Sequence, residues 1–350
     1  MKYRGPCRCD YFLTQNMKYI ALLASLFFVG VASAQHYKVI TPMTKDDDGA
    51  MARLINFDTG ETVDSVLVEN AVATFEGEVD EPYLARVIVD GVRKPVFILE
   101  AGTISFSDKG GAFGSMLNDE LRAMGNRLNA LAADFQKADE AGQQAILNKY
   151  NAVLDSTMMA NRDNPLGCYV FLNGDASQAS APELREMLKK YPDFAKYQRV
   201  KKMLDAAEKR EATQPGRKYV DFTITNDGKA EKLSDYVKPG KYTLVDFWAS
   251  WCGPCMRQAA VLKDLYEKYH DKGLDIVGVA VWDEPANTLE AIKSHGLKWP
   301  NIINAQTVPT DLYGITGIPC IMLIGPDGTI LSRDKQGEDL VADVEKYIKK

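Results

Sequence analysis

The sequence is poor in metal ligands. Its 350 residues hold three histidines, His36, His270 and His295, and none stands at ligand spacing from a cysteine. Six cysteines supply one Cys-X-X-Cys, at Cys252 and Cys255, and no second such pair. A structural zinc ion needs four ligands, so no zinc and no other metal or cofactor is expected. Glycine-rich nucleotide-binding motifs are absent. The apolar runs are short of the ~20 residues needed to span a bilayer. Basic residues number 42 against 48 acidic ones, a net charge of −6, which argues against a nucleic-acid partner. The cysteines are also too few for a disulfide scaffold.

What is present is the composition of a folded, soluble protein, 46% hydrophobic and 26% charged. The length calls for at least two domains. Residues 17–34 read M-K-Y-I-A-L-L-A-S-L-F-F-V-G-V-A-S-A, with a charged start at Lys18, an apolar centre and a small-residue end. That is the pattern of a secretory signal peptide, so export with cleavage after Ala34 is expected, to the periplasm or cell envelope and without stable membrane insertion afterwards. No cysteine stands just after the apolar run, which speaks against a lipid anchor. Met17 is the better start, leaving residues 1–16 as an upstream extension that carries Cys7 and Cys9. Removing 1–34 takes away a net charge of +3 and leaves a mature chain at −9 with four cysteines: Cys168, Cys252, Cys255 and Cys320.

From 36 to 106 the pattern is β-rich, with runs at 51–57, 62–68, 72–75, 83–89, 95–99 and 103–106 separated by turn signals. Short strands at regular spacing predict a small antiparallel sandwich or barrel. Asp58-Thr59-Gly60 spells an aspartic-protease tripeptide, but no second such carboxylate exists, and the tripeptide reads as a hairpin turn. From Leu117 the period changes to 3.6: Leu117, Leu121, Met124, Leu128, Leu131 and Phe135 mark one amphipathic helix. Further helices are expected at 144–161, 166–172, 182–190 and 193–211. Met158, Met159 and Tyr169 read as core, and Cys168 as an inert buried thiol.

Gln214-Pro215-Gly216 marks a boundary. Beyond it, strands at 220–224, 242–248, 276–282, 321–324 and 330–332 alternate with helices at 254–270, 285–294 and 340–348. Such α/β alternation gives a central sheet flanked by helices. The expected organisation is therefore 1–34 for extension and signal, 35–112 for a β-rich domain, 113–213 for a helical region, and 214–350 for the part that carries the chemistry.

The chemistry lies in 242–255, Y-T-L-V-D-F-W-A-S-W-C-G-P-C. A short apolar run suits a strand buried on both faces. After the Gly253-Pro254 turn, Leu262, Leu265, Tyr266 and Tyr269 recur at helical spacing. Cys252 and Cys255 thus stand at a helix N-terminus, where free N–H groups and the helix dipole favour a thiolate. A Cys-X-X-Cys thiol so placed can drop from about 8.5 to roughly 7 or below. Cys252 would attack a partner's disulfide, and Cys255, one turn in, would resolve the mixed disulfide. Asp246 is an isolated carboxylate in an apolar strand, a costly placement that calls for a purpose.

The motif V-D-F-W-A-S-W-C-G-P-C resembles the active-site signature of the thioredoxin superfamily, and the likeness runs from about Lys218 to the end of the chain. The segments D-F-T-I-T-N-D-G-K and Val281-Trp282-Asp283 through Trp299-Pro300 are similar to additions of the extracytoplasmic TlpA-like and ResA-like redoxin branch. Residues 64–102 are similar to a β-rich domain of unassigned function that often precedes such modules. The resemblance implies a thioredoxin-like fold and a thiol–disulfide exchange activity. Asp246 matches a buried acid that shuttles the proton of the resolving cysteine. Thr316-Gly317-Ile318-Pro319 matches the loop with a cis-proline, in which Pro319 lies against the cysteines and the backbone of Ile318 pairs with an extended substrate. Trp251, with Gly253 and Pro254, would face the partner, and Trp248 would pack below.

Two features depart from the pattern. Cys320 replaces the usual Thr after the proline, and is either a passive apolar residue or a third thiol near Cys252. Met256-Arg257-Gln258-Ala259-Ala260 lacks the branch's frequent glutamate-proline pair, which leaves Asp246 as the only obvious acid. Gly253-Pro254 is the dipeptide of reducing thioredoxins, so a reductase of protein disulfides is expected, fed by an upstream thiol electron donor. Apocytochrome c, misoxidised exported proteins and a dedicated partner all fit as substrates, and the sequence does not choose. The alternatives are a peroxidase of the peroxiredoxin branch, whose chemistry typically uses Thr-X-X-Cys without this motif, and a non-enzymatic envelope binding protein.

Overall fold

A computed structural model describes residues 35–107 and 110–348. The expected signal peptide at 17–34, its cleavage point and the upstream extension lie outside the described residues. The chain forms two compact units, one up to Ala123 and one from Met124.

The first unit is built from β1 (Gln35–Pro42), β2 (Met51–Asn56), β3 (Thr62–Leu67), β4 (Val72–Val79), β5 (Tyr83–Val89), β6 (Val92–Arg93), β7 (Phe97–Leu99), β8 (Gly102–Phe106) and β9 (Ala112–Phe113). One sheet runs β4-β1-β8-β9 and the other β3-β2-β5-β6, with β7 also on β5. Period-2 alternation turns Val39, Leu54, Phe75, Val87, Phe97 and Ile104 into a shared core, all fully buried. Asp58-Thr59-Gly60 forms the β2–β3 turn, its N–H groups at Asp58 and Thr59 donating to Asn56 Oδ1.

The small antiparallel domain expected here includes one parallel pair. β1 pairs antiparallel with β4 but parallel with β8. Strands β2 to β7 intervene between the two, which is the long crossover that a parallel pair requires. The first helix, α1 (Met116–Phe135), begins where Glu100 Oε1 accepts the N–H groups of Leu117 at 2.8 Å and Asn118 at 3.2 Å. That carboxylate fills the role of a cap for two otherwise unpaired donors.

The second unit contains α2 (Glu140–Ala160), α3 (Pro165–Asn173), α4 (Ala181–Lys190) and α5 (Gln198–Ala212). Asp139 caps α2 and Asn164 caps α3. The helix expected at 193–211 is two pieces, because Tyr197 is extended and separates a 3-10 turn, Pro192–Lys196, from α5. Of the expected core residues there, Met158 is buried, Tyr169 is half-buried, and Met159 is exposed. Cys168 is fully buried in α3.

Next come a hairpin of β10 (Thr223–Asn226) and β11 (Lys229–Lys232), then β12 (Tyr242–Trp248), α6 (Gly253–Tyr269), β13 (Leu274–Ala280), α7 (Pro285–His295), β14 (Asn301–Ile302), α8 (Val308–Tyr313), β15 (Cys320–Ile324), β16 (Ile330–Arg333) and α9 (Gly337–Ile348). The sheet order is β14-β13-β12-β15-β16, with β12 central, parallel to β13 and antiparallel to β15. On one face Leu244, Ile276, Ile321 and Leu323 pack against Leu262 and Leu265 of α6 and Leu340 and Val344 of α9. On the other, Val245, Phe247, Val279 and Met322 pack against Phe222, Ile224 and Tyr313. The strand expected at 220–224 is not part of this sheet. Its apolar side chains Phe222 and Ile224 cover the sheet's face instead of extending its edge. Buried Arg333 donates to the carbonyls of Tyr313 and Thr213, and Arg210 pairs with Asp334 at 2.6 Å, fastening α5 to the sheet.

Candidate active site

Central strand β12 ends at Trp248, and the chain turns through Ala249-Ser250-Trp251 into α6. Cys252 is the N-cap of α6, and Cys255 lies in its first turn. The two are joined as a disulfide with Cα atoms 5.2 Å apart. The N–H of Cys255 points at Cys252 Sγ across 3.2 Å. A free helix-start donor aimed at sulfur stabilises negative charge there once the bond is reduced. Both sulfurs are mostly covered, Cys255 more so than Cys252.

The Ile318–Pro319 peptide is cis, and the Ile318 carbonyl lies 3.8 Å from Cys252 Sγ. The structure thus brings Pro319 and Ile318 against the cysteine pair. Around it the rim is open: Trp251 is 62% exposed, Gly253 and Pro254 are exposed, and Ile318 is half-buried. The Trp251 indole N–H donates to the Trp282 carbonyl at 2.9 Å, and Trp282 holds a left-handed φ of 53°. Trp248 lies below, buried against Cys252 and Cys255. Its indole N–H donates to Asn301 Oδ1 at 3.1 Å across Gly278. A Cβ at Gly278 would overlap the Asn301 side chain and come within 2.8 Å of Trp248 Nε1, so only glycine fits.

Asp246 is buried at 4% exposure, and its Oδ1 has no hydrogen-bond partner. Burial pushes its carboxyl up from the ordinary range to about 7. Strand alternation puts Leu244, Asp246 and Trp248 on one face. Leu244 meets Leu262 and Leu265, whereas Trp248 meets the cysteines, so Asp246 stands between those levels, beneath the start of α6. A carboxyl that changes protonation near neutral pH thereby lies on the face of the sheet that packs against the helix carrying Cys255.

Cys320 lies elsewhere. It registers with Phe247 and belongs to the opposite face of the sheet, with Val245 and Met322. Burial, and then the charge of Asp334, push its thiol well up.

Asp283 was not singled out by sequence reasoning. It is buried and accepts from Ser250 N and Oγ, both at 2.8 Å, from Thr288 Oγ1 at 2.8 Å and from Glu284 N at 3.0 Å. It holds the turn that presents Trp251 and Cys252. A carboxylate immediately after an apolar strand was the available signal. Among the described residues there is no cluster of His, Cys, Asp and Glu able to hold a metal ion, and no helix is long and apolar enough to cross a membrane.

A vicinal dithiol at a helix N-terminus, under a cis-proline loop on a thioredoxin-like sheet, defines a thiol–disulfide oxidoreductase. Residues 215–333 match the AhpC/TSA family, and residues 37–130 match a domain of unknown function, DUF4369. The thiol-disulfide oxidoreductase ResA of Bacillus thuringiensis subsp. konkukian is 30% identical over 143 residues, 41% of this chain and 81% of the relative. ResA of Bacillus subtilis is 27% identical over 123 residues, 35% of this chain and 68% of the relative. The solved thioredoxin domain of a thiol-disulfide oxidoreductase from Bacteroides vulgatus is 31% identical, covering 38% of this chain and 97% of its own, with a TM-score of 0.35. The chain belongs to the ResA-like thiol-disulfide oxidoreductase family.

Proposed function

We propose that this enzyme reduces protein disulfides in the cell envelope through its Cys252-Gly253-Pro254-Cys255 dithiol. The observation that carries the reading is the N–H of Cys255 aimed at Cys252 Sγ at 3.2 Å, with buried Asp246 on the same side of the sheet. Cys252 thiolate attacks one sulfur of the substrate disulfide, forming a mixed disulfide and releasing the other sulfur as thiolate. Cys255 gives its proton to Asp246 and attacks Cys252 Sγ. The Cys252–Cys255 bond forms, the second substrate thiolate leaves, and two electrons have passed to the substrate. Ile318, ahead of Pro319, offers its backbone to an extended substrate segment beside Cys252, and Trp251, Gly253 and Pro254 form the contacting rim.

In this reading the chain is exported by residues 17–34 and works without a cofactor, receiving electrons from an upstream thiol protein. Its parts divide at 35–112, 113–213 and 214–350. Gly253-Pro254 favours the reducing direction. Equilibrating residues 35–350 with thiol buffers tests it. A potential near about −270 mV, as in thioredoxin, fits a reductase, while a value near about −120 mV would reverse the direction to disulfide formation.

A further inference from the structure

The layer that holds Asp246 contains a second buried polar group with an unused end. Gln258 of α6 is 6% exposed. Its Oε1 accepts the N–H of Gly337, at the start of α9, at 3.0 Å. The Nε2 end of the same amide is buried and has no hydrogen-bond partner. Asp246 Oδ1 is the complementary case, a buried acceptor without a donor.

Register brings the two to one level. Gln258 follows Cys255 by three residues and precedes Leu262 by four, so the three share a helix face. Asp246 sits on β12 between Leu244, which packs with Leu262, and Trp248, which packs with Cys255. The unpaired amide donor and the unpaired carboxyl acceptor therefore belong to the same dry layer. We propose that Gln258 is the positioning residue for Asp246: its Nε2 donates to the ionised Asp246 carboxylate and holds it ready to take the Cys255 proton. This rests on the role assigned to Asp246 above.

One other buried donor on this face lacks a partner, the indole N–H of Trp299, which clusters with Leu244 and Ile276 and lies near the ring of Tyr266. β13 and β15 place Gly278 and Ile321 opposite Asp246. On its own strand Leu244 and Trp248 are its same-face neighbours, and α6 adds Leu262 and the one titratable side chain, Cys255. From α9 comes the Gly337 backbone, while Glu338 and Asp339 are exposed. A glutamate at 258 would keep the Gly337 contact and place a second carboxylate in the layer, raising the proton affinity of both.

The test uses residues 35–350, with Asp246 titrated by carboxyl carbon NMR in the oxidised form, where the cysteines do not titrate. The pH dependence of disulfide reduction is measured in the reduced form. Gln258→Met removes the donor with little change of volume. It should raise the Asp246 midpoint by about one pH unit, the scale of one hydrogen bond to a charged group. The acidic limb of the rate profile should move with it, lowering the rate at neutral pH up to about tenfold. Gln258→Glu, which retains the Gly337 partner, should also raise the midpoint and add a second titration. In an Asp246→Asn background Gln258→Met should leave the pH profile unmoved. A Gln258→Met midpoint equal to wild type, even with lowered stability, overturns the proposal. A wild-type rate and pH profile in Asp246→Asn alone would instead remove the role of Asp246 itself.

Discussion

The backbone N–H of Cys255 meets the Sγ of Cys252 at 3.2 Å, while the sulfur of Cys255 lies deeper in the first turn of α6. The two thiols are therefore unequal. In Cys255→Ser the remaining Cys252 should be alkylated quickly at neutral pH and should accumulate as a mixed disulfide with a protein substrate, because nothing resolves it. Cys252→Ser should lose reductase activity and trap no partner. Intact mass after a short iodoacetamide pulse distinguishes the two. Fast alkylation of Cys252→Ser instead of Cys255→Ser would invert the assignment.

Asp246 should make stability depend on pH with an unusual sign. Its carboxyl titrates near 7 in the folded protein, against 3.8 when unfolded. Between these values the native state holds a proton that the unfolded state has lost. Stability should therefore fall as pH rises from about 4 to about 7, and level off above. The full size is on the order of 4 kcal/mol. Asp246→Asn should flatten this slope, gaining on wild type above neutrality and little below pH 4. Denaturant midpoints across that range decide it. A wild-type slope in the variant would locate the dependence elsewhere.

Much of this was legible in the sequence because the informative residues obey local rules. The run from Tyr242 to Trp248 followed by Cys-Gly-Pro-Cys fixes a buried strand and a helix start, and both fall within a residue of expectation. Asp246 stood out because a carboxylate in an apolar strand is costly. What escaped depends on distant partners. β1 lies parallel to β8, which no local period encodes. Phe222 and Ile224 have a strand's composition but serve as a cover for the sheet. Asp283 and Gln258 look like ordinary polar residues until the fold buries them beside Ser250 and beneath α9.

Asp283 accepts four hydrogen bonds, two of them from Ser250. Asp283→Ala would strand the buried Thr288 hydroxyl, at a cost of about 1–3 kcal/mol, and would free the half-buried Ser250 N–H from its acceptor. Melting temperature should fall, and the Ser250 amide should exchange its hydrogen faster. Because the same turn presents Trp251 and Cys252, disulfide reduction should also slow, chiefly through weaker positioning of the substrate. Asp283→Asn, retaining an acceptor oxygen, should lie between the two. A variant with unchanged exchange at Ser250 would deny Asp283 its hold on the turn.

Cys320 follows the cis-proline directly and invites a role as a third thiol, but its direction argues otherwise. It registers with Phe247 and lies with Val245 and Met322 on the sheet face away from Trp248 and the Cys252–Cys255 pair. Burial, and next the nearby Asp334, disfavour its thiolate, the only form that attacks a disulfide. Cys320→Ala should therefore leave the rate of disulfide reduction within about twofold of wild type, while the lost sulfur costs on the order of 1 kcal/mol of packing. Reduced native protein of residues 35–350 should show one rapidly alkylated thiol, at Cys252, with Cys320 reacting only after unfolding. A tenfold loss of activity in Cys320→Ala with its melting curve intact would place Cys320 in the exchange after all.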